Sequence, residues 1–184
     1  LPGWGGRSEN FVWTLINGVQ RPELNRRLVV AAIQDTHTGG PRYQGQGSRA
    51  HANVWRTTGD SVDRLQHFVA TLAGALGGRP RVYLVGYSTG GVAAPRLAAR
   101  IADPGAPYRV AGAVALGTGT RATARELRDA DLRVLFLVVP RRTAADPRPL
   151  RDDASNREQA ERSQQRLSRA GAAAYLRHID SARR

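Results

Sequence analysis

Arg81-Val82-Tyr83-Leu84-Val85-Gly86-Tyr87-Ser88-Thr89-Gly90-Gly91-Val92-Ala93-Ala94-Pro95-Arg96-Leu97-Ala98-Ala99-Arg100-Ile101 is the stretch whose reading decides the fold. Arg81 to Val85 is a compact run of β-branched, aromatic and aliphatic residues, the signature of a buried strand. Val92 to Ile101 is small and helix-compatible. Between them Gly86-Tyr87-Ser88-Thr89-Gly90 matches G-x-S-x-G, with a strand leading in and a helix leading out. Glycine suits such a bend because a side chain at 86 or 90 would collide with the neighbouring element. The helix start also brings backbone N–H groups and the positive end of the helix dipole to the serine.

Working outward, Arg27 to Gln34, Arg109 to Leu116 and Leu132 to Val139 repeat the apolar strand pattern, and Ala172 to His178 is a weaker terminal candidate. Segments of helical period lie between them. Val62, Leu65, Phe68, Val69, Leu72 and Leu76 share one face, with Asp60 or Ser61 placed to cap the start and Gly77-Gly78 to stop it. Arg121 to Arg128 and Ser155 to Ala170 supply further helices, the latter ending at Gly171. Strands joined by helical crossovers pair in parallel through right-handed connections, so the pattern predicts an α/β fold: a compact three-layer sandwich with a mostly parallel sheet. The 184 residues suit a single domain spanning 1–184. The polar stretch from Thr36 to Thr58 is the one long candidate loop.

Composition narrows the function classes. No cysteine is present, which excludes a thiolate nucleophile, thiolate metal sites and disulfides and leaves the redox compartment, cytoplasmic or secreted, open. The formal charge is +13, yet all 28 basic residues are arginines scattered among Asp and Glu rather than gathered with aromatics. That distribution argues against a nucleic-acid partner; an anion-binding module working through its arginines stays as a rival reading. No apolar run approaches the ~20 residues of a membrane span, so a soluble chain without stable membrane insertion is expected. The four histidines, at 37, 51, 67 and 178, match no familiar zinc spacing, and no metal is expected.

The segment Val82 through Arg100 resembles the strand, nucleophile elbow and helix of the α/β-hydrolase superfamily. The resemblance implies a serine esterase, lipase or thioesterase with Ser88 as nucleophile, no cofactor, and a small-molecule or lipid-like ester as its partner. It implies an oxyanion hole built from the N–H of Thr89 and one near Trp4, because Leu1-Pro2-Gly3-Trp4-Gly5-Gly6 is similar to the family's Gly-rich oxyanion loop. The strand that would precede that loop in the family is expected to be absent or to lie on a missing upstream piece. Tyr87, beside the nucleophile, is the expected substrate contact. The family's order of nucleophile, acid and histidine implies Asp146, in Thr143-Ala144-Ala145-Asp146-Pro147, as the acid; Asp152 and Asp153 are alternatives, Asp153 being placed also to cap the helix near Ser155. The same order implies His178 as the base. His178 departs from the pattern by abutting the last strand directly. A catalytically silent member of the fold, binding a ligand or partner, is the alternative.

Overall fold

The computed structural model describes residues 29–31, 33, 59–138 and 151–178. Within them the chain runs α1 (Asp60–Leu76), β1 (Arg81–Tyr87), α2 (Thr89–Ile101), β2 (Arg109–Leu116), α3 (Ala124–Asp129), β3 (Arg133–Val138), α4 (Arg151–Arg169) and β4 (Ala173–His178). The strands form one four-stranded sheet in the order β1-β2-β3-β4, and every pairing is parallel. The expected α/β class with a parallel sheet is therefore present. Of the run Arg27 to Gln34, the described residues Val29, Val30, Ala31 and Ile33 lie outside the sheet.

A sheet that adds each strand on the same side of the last, through right-handed crossovers, places its connecting helices on one face. The burial pattern agrees. Leu84, Ala113, Val134 and Ala174 share one row of the register, and all four are buried. Phe136 and Val138 are buried on the same face of β3. From the helices, Ala94, Leu97, Ala98, Ile101, Leu127, Ala160 and Leu167 complete this core, each with no solvent exposure. On the other face Tyr83, Tyr87 and Tyr175 are about half exposed.

The ends of the helices explain their limits. α1 begins after Gly59, which carries no capping side chain. This corrects the expectation of a cap at Asp60 or Ser61: both are already helical, Asp60 and Asp63 sit in the first turn where the helix dipole favours them, and Ser61 is buried. α3 has a full capping box, in which the Thr123 hydroxyl accepts from the Glu126 N–H at 3.2 Å and the Glu126 carboxylate accepts from the Thr123 N–H at 2.8 Å. Asp153 lies within α4, not at its cap, since the helix is already formed at Arg151. At the C-terminal end of α2 the buried Tyr108 hydroxyl donates to the Ile101 carbonyl at 3.1 Å.

Candidate active site

Ser88 occupies the junction of β1 and α2, at the C-terminal edge of the sheet, where ligands bind in open α/β folds. Its backbone has φ 52° and ψ −120°, a conformation that residues with a Cβ rarely adopt. Two hydrogen bonds hold it there. The Ser88 N–H donates to the Leu116 carbonyl at 3.1 Å, extending the sheet, and the Ser88 carbonyl accepts from the Val92 N–H at 3.0 Å, starting the helix. A residue tied to both elements must make the whole turn itself. Such strain costs on the order of 1–3 kcal/mol and persists only where the surroundings over-determine it.

Serine at a helix N-cap normally spends its hydroxyl on an N–H of the first turn. Ser88 stands at the N-cap of α2 and makes no such bond. Its side chain is half-buried and is not engaged in holding the helix. The flanking glycines make the turn sterically feasible. A Cβ on Gly86 would strike the carbonyl of Gly90 and lie 2.7 Å from the Gly91 nitrogen. One on Gly91 would lie 2.7 Å from Thr118 Cγ2 and 2.9 Å from the Gly86 carbonyl. Strand and helix thus approach closely enough that only hydrogen fits between them.

Thr89 opens α2, so its N–H has no acceptor within the helix and faces outward at the positive end of the dipole. Its hydroxyl oxygen is fully buried and has no hydrogen-bond partner. The shelf beside this end of the helix is firmly built. Thr120 donates through its hydroxyl to the Val92 carbonyl at 3.0 Å and receives the Ala122 N–H at 3.1 Å, while its own N–H donates to Ser163 Oγ at 3.1 Å. Arg166 clamps the same loop by donating to the carbonyls of Thr120 and Ala122. Behind it Arg96 donates to Glu126 at 2.9 Å. Partial burial alone would raise the Glu126 carboxyl; the hydrogen bonds from Thr123 and Arg96, with the charge of Arg96, outweigh it and hold the group below its ordinary range. Neither Thr120 nor Arg166 carries a motif that marks it in the sequence. The capping box does: Thr123-x-x-Glu126 is its signature.

The remaining expected residues are placed as follows. Tyr87 is the last residue of β1, with its side chain half exposed on the face opposite the core, next to Ser88. Trp4 and Asp146 lie outside the described residues, as do His37 and His51. His67 is exposed on α1. His178 is the last residue of β4, paired in register with Val138, and its Nε2 lies 3.9 Å from Glu161 Oε1 on α4. That oxygen also accepts from Arg157 at 2.8 Å. Tyr87, Leu116, Leu137 and Arg177 form one row across the sheet, which puts the ends of β1 and β4 three strand spacings apart. At ~4.8 Å per spacing that is about 14 Å, whereas a general base must come within about 3 Å of the proton it takes. The structure brings Ser88 and Thr89 together and does not bring His178 to them.

Among the described residues no group of three or more His, Asp or Glu side chains is arranged to hold a metal ion. No described helix is long and apolar enough to cross a membrane. A shallow depression bounded by Glu158, Glu161, Arg162 and Gln165 lies on α4 and not at the elbow. The chain matches no protein-family model and no curated protein.

Proposed function

We propose that the chain is a serine hydrolase of the α/β-hydrolase type that cleaves a carboxylic ester or thioester through an acyl-enzyme on Ser88. The observation that carries this reading is a serine held at φ 52° between a parallel strand and a helix, with its hydroxyl not used as a cap. A structural serine at this place would relax to the ordinary N-cap geometry, and glycine would fit the bend without strain. Strain kept at one residue whose hydroxyl is released by it is what a nucleophile requires. In this reading the sheet is the centre of a three-layer sandwich, with further chain covering the face of Tyr83, Tyr87 and Tyr175.

The Ser88 oxygen attacks the substrate carbonyl, its proton passes to an imidazole, and the carbonyl π pair moves onto oxygen. The Thr89 N–H, and one near Trp4, donate to that oxyanion. Collapse expels the alcohol or thiol, which takes the proton, and water repeats the sequence to free the acid. Tyr87 borders the substrate. His178 acts as base, oriented by Asp146, once the end of β4 has left the ladder beside Val138 far enough to carry it from Glu161 to Ser88. That strand end has no further described strand beyond it, so the departure breaks pairing on one side only. The chemistry calls for no cofactor.

The test is labelling of the intact protein with a fluorophosphonate and hydrolysis of p-nitrophenyl esters of increasing chain length. Wild type should label at Ser88 and turn over. Ser88→Ala should lose both, and His178→Ala should lose turnover while keeping its fold by circular dichroism. Full turnover in His178→Ala would reassign the base. The distance between His178 and Ser88 favours a second reading, a catalytically silent member of the fold that binds a ligand or partner. Absence of Ser88 labelling in folded wild type would select it.

A further inference from the structure

The sheet presents an apolar face on the side away from its helices. Val85, Val114, Leu135 and Tyr175 form one row across all four strands, and Tyr87, Leu116 and Leu137 continue it toward the C-terminal edge. The tyrosines are about half exposed and the aliphatic members are half-buried. α1, α2, α3 and α4 all contribute to the core on the opposite face. Parallel sheets of α/β proteins are covered on both faces, because their strands carry apolar side chains in both directions. Three strand spacings of ~4.8 Å by four residue steps of ~3.3 Å make this face about 14 Å by 13 Å. A helix of about nine to twelve residues, ~1.5 Å per residue and ~10 Å wide, covers most of it.

The chain outside the described residues holds one stretch suited to that role. Phe11, Val12, Leu15, Ile16 and Val19 recur at helical spacing within residues 9–20, with Asn10, Thr14 and Asn17 on the opposite side. Ser8 stands where a cap belongs, and Pro22 stops the pattern. The other stretches lack such a face. Residues 34–58 are polar and Gly-rich, residues 139–150 contain Pro140, Pro147 and Pro149, and residues 179–184 are too few to span the sheet. Residues 27–34 are a nearly unbroken apolar run with no polar side to turn outward. Ile33 packs against the core and so tethers what precedes it. From Gln20 to Ile33 the chain can span roughly 40 Å, well over the width of the face. We infer that residues 9–20 form an amphipathic helix docked on this face through Phe11, Val12, Leu15, Ile16 and Val19. The inference rests on the three-layer reading and names the chain that supplies the third layer; it does not depend on whether Ser88 reacts.

The chain has no cysteine, so introduced thiols report alone. The experiment measures maleimide labelling of Leu135→Cys in the full chain, and intramolecular crosslinking of Ile16→Cys with Leu135→Cys. Arg162→Cys, on the exposed side of α4, replaces Leu135→Cys as the distant control. The crosslinker is about 8 Å long, shorter than the roughly 10 Å between packed layers. The Leu135→Cys thiol should label more than about 30-fold slower than free cysteine, as for a site that reacts only on local opening. The 16–135 pair should crosslink within one chain and the 16–162 pair should not. Labelling within that factor shows an open face and removes both the inference and the three-layer reading. Slow labelling with no 16–135 crosslink means another cover, which overturns the inference and leaves the third layer standing. Crosslinks between two chains that increase with protein concentration show a second copy on the face and also overturn it. If Leu135→Cys fails to fold by circular dichroism, Val114→Cys in the same row takes its place.

Discussion

Replacing Gly86 with alanine tests the close approach that creates the elbow. The added Cβ would meet the Gly90 carbonyl and lie 2.7 Å from the Gly91 nitrogen, where ordinary contact begins near 3.4 Å. Both obstacles are backbone, so no side chain can swing aside. The first turn of α2 would have to retreat by roughly 1 Å, against a helix whose Ala94, Leu97, Ala98 and Ile101 are fully buried. Overpacking of this kind costs about 3 kcal/mol, the upper part of its usual range. For a chain of this size that lowers Tm by roughly 6–12 °C. Gly74→Ala is the internal control: it lies in α1, where a Cβ meets nothing within 4 Å, and it should gain about 0.5–1 kcal/mol from helix propensity. Urea unfolding followed at 222 nm gives both values on one scale. A Gly86→Ala midpoint equal to wild type, or the two variants shifting alike, would refute the tight contact between β1 and α2.

Other substitutions test the strain and the electrostatics. At Ser88 the positive φ reverses the usual order of small residues, so Ser88→Gly should be more stable than Ser88→Ala by about 1 kcal/mol; equal urea midpoints would remove the strain argument. Glu126 has a folded carboxyl pKa lowered from the ordinary 4.5, so it binds fewer protons folded than unfolded and stabilises the fold at pH values above that figure. This contribution declines as pH falls below about 4.5 and through the lower folded value. Glu126→Gln should therefore be less stable than wild type at pH 7 and show a shallower decline in acid; parallel curves down to pH 3 would contradict the role of Thr123 and Arg96.

How much the sequence revealed follows from the range of the interactions involved. β1, β2, β3 and β4 stand within a residue or two of the apolar runs that mark them, because each strand buries alternate residues beneath the helices and is largely aliphatic or aromatic on its other face. Gly171, with φ 78°, ends the segment after α4 as its position implies. The start of α1 was less legible. Gly59 takes the N-cap, and Asp60 and Ser61, good caps by type, are drawn into the helix, where Ser61 is buried. Tertiary burial there overrides local capping preference. The anchoring of the loop after β2 by Ser163 and Arg166 is longer in range still, spanning more than forty residues of sequence, and no local pattern encodes it.

The candidate site divides along the same line. Ser88 and Thr89 are positioned by a turn of a few residues, so motif and geometry coincide. The separation of His178 from Ser88 is set by the order of four strands, and chain order alone does not state on which side of β1 the next strands are laid or how far the last one ends from it. The order β1-β2-β3-β4 places the end of β4 as far from Ser88 as the described sheet allows. A base working from that end has to cross the tops of β2 and β3, where the Gly117 N–H is already fixed to the Leu137 carbonyl at 2.8 Å. Those two strand ends are therefore the floor over which any proton acceptor must be carried to Ser88. A base delivered across them must come from chain that has left the ladder, because no side chain spans about 14 Å from within it.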